Sequence, residues 1–208
     1  MLYTSTVEPN TLSLLEKLMT LDELKQFSLV GGTALSLRYG HRISVDLDLF
    51  CNLEFDQAAI IKSLEITFGH QFKYEGNFTK AGIFCFINDI KVDIVYYPHS
   101  TIEEIELNGG LRIYGNKDIA AMKIQAILGR GKKKDFWDIA ELFHHYSLNE
   151  IINYHQQKYP SQQLLISMPQ ALTWFEDAEA GEDPVSLKGQ TWETVKKIMQ
   201  EKVNDYLR

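Results

Sequence analysis

The stretch LVGGTALSLRYGHRISVDLDLF, Leu29 to Phe50, constrains the fold more than any other part of the chain. The run Phe27-Ser28-Leu29-Val30 predicts a short strand and Gly31-Gly32 a tight turn. The segment ending at Gly40 predicts a helix, and Val45 to Phe50 a second strand. Glycine lets the backbone turn sharply and approach a ligand with no Cβ in the way. Thr33 stands where a helix N-cap is favoured, and the unpaired N–H groups of such a terminus attract phosphate. In the second strand a period of two puts Val45, Leu47 and Leu49 on one face and Asp46 and Asp48 on the other.

Two carboxylates at i, i+2 on a strand have Cα atoms about 6.5 Å apart, which suits oxygen ligation of one or two Mg²⁺ ions. A phosphate-binding turn beside such a pair is what metal-assisted phosphoryl or nucleotidyl transfer requires. Each piece alone has an ordinary explanation, the glycines as a tight turn and the aspartates as a solvated strand edge. A third acid follows downstream. Ile83 to Ile87 and Ile90 to Tyr96 predict two strands joined at Asn88-Asp89, residues that tolerate the positive φ of a hairpin turn. Val92, Ile94 and Tyr96 share one face of the second strand, and Asp93 points the other way.

Gly31-Gly32-Thr33 followed by Asp46-Leu47-Asp48 resembles the signature of the DNA polymerase β-like nucleotidyltransferase superfamily. The longer string GGTALSLRYGHRISVDLDLF resembles its AbiEii/AbiGii-type toxin branch, and KDIAAMKIQAILGRGKKKDFWDIAELF resembles that branch's second block. The resemblance implies an α+β fold, with a polymerase β-like nucleotidyltransferase core (a mixed sheet with flanking helices) followed by a C-terminal helical subdomain. It implies that Asp46, Asp48 and Asp93 hold two Mg²⁺ ions, with Asp93 helping to activate the attacking hydroxyl. It assigns Gly31, Gly32 and Thr33 to the phosphates of a nucleoside triphosphate, Lys123 to the same triphosphate, and Asp138 to the active cleft. The acceptor it implies is RNA, notably the 3′ end of tRNA, and the partner a cognate antitoxin. Arg38 and Arg42 flank the glycine turn and either contact phosphates or pair with surface carboxylates.

Beyond about Gly115 helical periodicity takes over, so the chain divides into a core over 1–115 and a helical subdomain over 116–208. Within the core, Glu8 to Leu24 predicts a helix capped by Asn10, and Asp56 to Phe68 predicts another. Asn116 is the expected cap of a helix reaching Leu128, in which Lys123 shares a face with Ile119, Ala120, Ala126 and Ile127. Lysine on an apolar face needs an anionic partner or a route to solvent. Lys132 to Lys134 form a basic turn suited to a triphosphate or an RNA backbone, or simply to water. Glu176 to Gln190 reads as a surface loop, and Thr191 to Leu207 as the last helix.

The net charge of −7 excludes a whole-molecule basic field, so any nucleic acid must be met by a local patch. Cys51 and Cys85 lack metal-type spacing and read as packing residues of a reducing compartment. The absence of a signal-peptide pattern and of a long apolar run predicts a cytoplasmic protein with no membrane association. Two other readings stay open at this level. One is a small-molecule nucleotidyltransferase of the aminoglycoside-modifying kind, with Glu103, Glu104 and Glu106 facing a cationic substrate. The other is a binding module that keeps the fold without the chemistry.

Overall fold

The computed structural model describes residues 1–76 and 79–208. Among these, seven strands form one mixed sheet in the order β3-β4-β5-β2-β1-β7-β6. They are β1 (Ser28–Val30), β2 (Leu47–Cys51), β3 (Phe72–Lys73), β4 (Gly82–Ile87), β5 (Ile90–Tyr96), β6 (Glu106–Asn108) and β7 (Leu111–Ile113). The expected mixed sheet with flanking helices and a helical C-terminal segment is therefore present. Strand β2 runs antiparallel to β1 and parallel to β5, and the β4–β5 hairpin closes on Asn88 and Asp89, both at positive φ. On one face Leu47, Leu49, Ile83, Cys85, Ile87, Val92 and Ile94 are all buried. The two cysteines are buried and unpaired, as packing residues should be.

Helix α1 (Pro9–Met19) is shorter than its periodicity predicts. Proline occupies its first turn, where a missing N–H costs nothing, so Glu8 is the N-cap and Asn10 lies inside the helix. Helix α2 (Gly31–Tyr39) links β1 to β2 and ends on Gly40 in the left-handed region. Helix α3 (Gln57–Phe68) is capped by the Asp56 carboxylate, which accepts from the Ala59 N–H. It buries Ile60 and Leu64, while Ala59 is exposed. Gly115 rather than Asn116 is the N-cap of α4 (Asn116–Gly129).

The remaining helices are α5 (Lys133–Leu142), α6 (Leu148–Lys158), α7 (Met168–Thr173), α8 (Glu176–Glu179) and α9 (Trp192–Leu207). The short α8 and the exposed edge strand β6 interrupt stretches whose composition reads as loop. Helix α9 starts at a reciprocal Thr191–Thr194 cap, one residue inside the expected start. Apolar side chains of residues 1–115 and of 116–208 belong to one continuous core cluster, with Phe136, Trp137 and Trp192 in van der Waals contact across α5 and α9. No described helix is long and apolar enough to cross a membrane.

Candidate active site

The β1–α2–β2 unit builds the site. Val30 ends the first strand and pairs with Asp48 of β2. The chain then turns into α2 through Gly31, whose φ of +73° favours glycine. Close approach is a second requirement there, because a Cβ on Gly31 would lie 2.4 Å from Asp48 Oδ2. At Gly32 a Cβ would lie 2.1 Å from Arg42 Nη2. The two glycines therefore admit one carboxylate and one guanidinium against the start of α2. Thr33 corrects the expectation from sequence, being a fully buried first-turn residue rather than the N-cap. Its hydroxyl donates to the Asp46 carbonyl and lies 2.8 Å from Ser44 Oγ, so it fixes the approach to β2.

Asp48 and Asp93 are register partners on the adjacent parallel strands β2 and β5, so their side chains leave the same face of the sheet. Both line a cleft of about 420 Å³ between that face and α4. Val30, Gly31, Phe50, Phe84, Tyr97, Lys123, Gln125 and Arg130 complete much of its wall. Burial, and next the Asp93 charge, push the Asp48 carboxyl above the usual carboxylate range. Asp93 meets the Lys91 ammonium through Oδ2, while its buried Oδ1 has no hydrogen-bond partner. Two neighbouring carboxylates, one raised and one with a spare buried oxygen, are the donor set a hard divalent cation satisfies.

Asp46, two residues before Asp48, is not in the cleft lining, although its charge adds to the rise of the Asp48 carboxyl. It precedes the first residue of β2, and its Oδ2 accepts from Lys134 Nζ at 3.0 Å. Among the described residues no group of three or more His, Cys, Asp or Glu side chains is disposed to hold a metal ion. The three-acid cluster expected from sequence is thus brought together at two of its members. The Lys134 ammonium occupies the Oδ2 of Asp46 in a partly exposed pair.

Asp138 also differs from expectation. It is fully buried and outside the cleft lining, where it accepts from Arg42 Nε at 2.7 Å, Arg42 Nη2 at 2.9 Å and Lys123 Nζ at 2.6 Å. His41 Nε2 lies 2.8 Å from it as well. Burial alone would raise this carboxyl, but the Arg42 and Lys123 charges outweigh it and hold it well below the usual range. Lys123, which does line the cleft, has a second partner in Asp135 Oδ1 at 3.0 Å. Asp138 and Asp135 together keep the buried ammonium charged against its desolvation. Arg130 reaches Asp135 from the cleft side and remains half exposed.

The two arginines near the glycine turn are structural by their contacts. Arg42 is buried on Asp138, and Arg38 joins Asn116 Oδ1 at 2.7 Å and Glu106 at 2.9 Å. Neither lines the cleft. Sequence reasoning missed Arg130, Tyr97 and Phe84 as cleft residues. The available signal was Phe84 itself, an aromatic residue at an outward position of β4.

The chain resembles proteins over most of its length. It is 36% identical over 201 residues to an uncharacterized protein of Aquifex aeolicus, covering 93% of this chain and 94% of that one. The structure superposes on a candidate nucleotidyltransferase of Helicobacter pylori with a TM-score of 0.57 and 18% identity, covering 97% and 99% of the two chains. It superposes on the nucleotidyltransferase toxin MenT4 of Mycobacterium tuberculosis with a TM-score of 0.54 and 14% identity, covering 93% and 84%. These two likenesses place the fold among the nucleotidyltransferases. Residues 13–184 match the family model described as nucleotidyl transferase AbiEii toxin of a type IV toxin–antitoxin system. With a glycine turn set against paired carboxylates, and the match spanning both the sheet and α4–α5, the chain belongs to the AbiEii nucleotidyltransferase toxin family.

Proposed function

We propose that the Asp48–Asp93 pair is the centre at which a nucleoside monophosphate passes from a nucleoside triphosphate to the 3′-terminal hydroxyl of an RNA, with tRNA as the acceptor. One observation carries this reading: the two carboxylates face each other across β2 and β5 at the glycine start of α2, with a buried oxygen of Asp93 unpartnered. The α2 N-terminus offers free amides to the triphosphate. The acceptor oxygen forms a bond to the α-phosphorus, the bond from that phosphorus to the bridging oxygen breaks, and pyrophosphate leaves. Asp93 orients the acceptor hydroxyl and receives its proton. Lys123 and Arg130 supply positive potential along the cleft wall where negative charge accumulates.

Asp48 and Asp93 would hold Mg²⁺, with Asp46 joining on release from Lys134, and the ions would supply Lewis-acid polarisation of the phosphate. Asp138 acts in this scheme as a positioning residue, through Lys123 and Arg42. Triphosphates and tRNA place the reaction in the cytoplasm, where a cognate antitoxin opposes it. The division at Gly115 has a functional sense here, with residues 116–208 forming the cleft wall that faces the sheet.

The aminoglycoside reading loses its support. Glu103 accepts from the Lys117 N–H and lies 3.2 Å from Lys117 Nζ, and Glu106 pairs with Arg38, all outside the cleft lining. Incubation with Mg²⁺, α-labelled triphosphates and either total tRNA or aminoglycosides separates the acceptors. Label on tRNA is expected. Label on the drug, or on neither, would overturn the assignment.

A further inference from the structure

The face of the sheet that carries Asp48 and Asp93 continues past the cleft onto β4 and β3. Register fixes what lies there. Phe84 pairs with Asp93, Phe86 pairs with Lys91, and Lys73 of β3 pairs with Phe86. Cross-strand partners leave the same face, so Asp48, Asp93 and Phe84 form one row across the sheet. Lys91, Phe86 and Lys73 form the next. The opposite side of β4 is already apolar and buried at Ile83, Cys85 and Ile87. A half-buried strand normally alternates apolar with polar residues. Here the outward positions are phenylalanines left 44% and 47% exposed.

We propose that Phe84 and Phe86 form a stacking platform for the last bases of a single-stranded nucleic acid whose free 3′ hydroxyl is delivered to Asp93. The proposal rests on the nucleotidyl-transfer reading above and names the surface that presents its acceptor. Exposed aromatic rings on an open sheet face are a recurrent way of holding unpaired bases, because every base has a π-face. The spacing of Phe84 and Phe86, i and i+2 on one strand, is about 6.5–7 Å, so the two rings serve neighbouring bases. Phe84 lines the catalytic cleft as well as a second groove containing Lys73, Phe86 and Lys91, which makes the platform continuous with the site.

Charge favours this occupant at the local scale despite the net −7. Lys73 and Lys91 flank Phe86 on the neighbouring strands, line the same groove and are exposed. Among the described residues Lys73 is paired with Asp89 alone, at 2.6 Å, in a pair 62% and 84% exposed. Such a pair is weak, so a phosphate can take its place. Lys91 leaves Asp93 when a cation occupies the carboxylates and is then available to a backbone phosphate.

The test is direct binding of a fluorescein-labelled single-stranded oligonucleotide with a free 3′ hydroxyl to the full chain, followed by anisotropy, with no transfer step required. Phe86→Ala is the principal variant because that ring lies outside the cleft, and its exposure should leave the melting temperature unchanged. Binding is expected to weaken about fivefold to a hundredfold. Phe86→Trp is expected to keep the affinity and to lose its indole fluorescence when the oligonucleotide stacks. A blunt duplex of the same sequence is expected to bind more weakly than the single strand. No binding by the wild-type chain, equal affinity of Phe86→Ala, or equal affinity for the duplex would overturn the platform and leave the face to a protein partner. The nucleotidyl-transfer reading fails separately, if triphosphate and Mg²⁺ yield no labelled product with tRNA.

Discussion

Replacing Asp138 by alanine is the sharpest perturbation of the buried charge network. Asp138 is inaccessible, and so very nearly are Arg42 and the Lys123 side chain that it neutralises. Its removal leaves a guanidinium without its bidentate partner and an ammonium with Asp135 alone. Breaking a buried pair from one side costs about 3–5 kcal/mol, since the remaining charges stay desolvated. For a chain of this size that corresponds to a loss of about 6–20 °C in Tm. In urea it lowers the midpoint by about 1–2 M. A double-mutant cycle with Lys123→Ala should be strongly non-additive, because the second change removes one of the stranded cations. The pH dependence has a definite sign. Asp138 is held below its unfolded value of about 3.9, so its contribution is fully present above that pH. It is lost as pH falls through the folded value. The gap between wild type and Asp138→Ala should be flat from pH 7 to 5 and narrow below about 4. A variant within about 1 kcal/mol of wild type at pH 7, or a gap that persists undiminished at pH 3, would refute the network.

Gly31→Ala places a Cβ at φ +73° and against Asp48 Oδ2, so it should cost about 1–2 kcal/mol in strain and at least tenfold in kcat. Unaltered turnover would show that the close approach is dispensable. Asp48→Asn should stabilise the metal-free chain, because burial and Asp93 raise the Asp48 carboxyl and make its ionised form a cost above the unfolded value. A rise in Tm of a few degrees at pH 7 that vanishes below about pH 4 is expected by scanning calorimetry, and a fall at neutral pH would contradict it. Lys134→Ala frees Asp46 and should tighten Mn²⁺ binding up to about fivefold by titration calorimetry, because a half-exposed ion pair is worth at most about 1 kcal/mol. Weaker binding would mean that Lys134 assists the site rather than competing with it.

What could be read from the chain in advance was what local chemistry decides. Positive φ at Asn88 and Asp89, the helix after Asp56, the apolar alternation of β2 and β5 and the glycine turn all follow from neighbours in sequence. The site was legible in part for the same reason. Asp48 and Asp93 lie on faces set by a period of two, so their meeting needed only a parallel β2–β5 pairing. The burial of Asp138 was not legible because its partners His41 and Arg42 are 97 and 96 residues away, and nothing local marks a helical aspartate as the anchor of a distant loop. The Lys134 partner of Asp46 was hidden for a like reason, since it lies 88 residues downstream. Strand β6 escaped notice because Glu106-Leu107-Asn108 is exposed at the sheet edge and shows no apolar alternation.

The central claim is that Asp48 and Asp93 together perform the transfer, and label transfer from an α-labelled triphosphate to tRNA in Mg²⁺ tests it most directly. Wild-type protein should label the 3′ end. Asp48→Asn and Asp93→Asn, each shown folded by its thermal transition, should lower the rate at least a hundredfold. Transfer by either variant within a few fold of wild type would contradict the account.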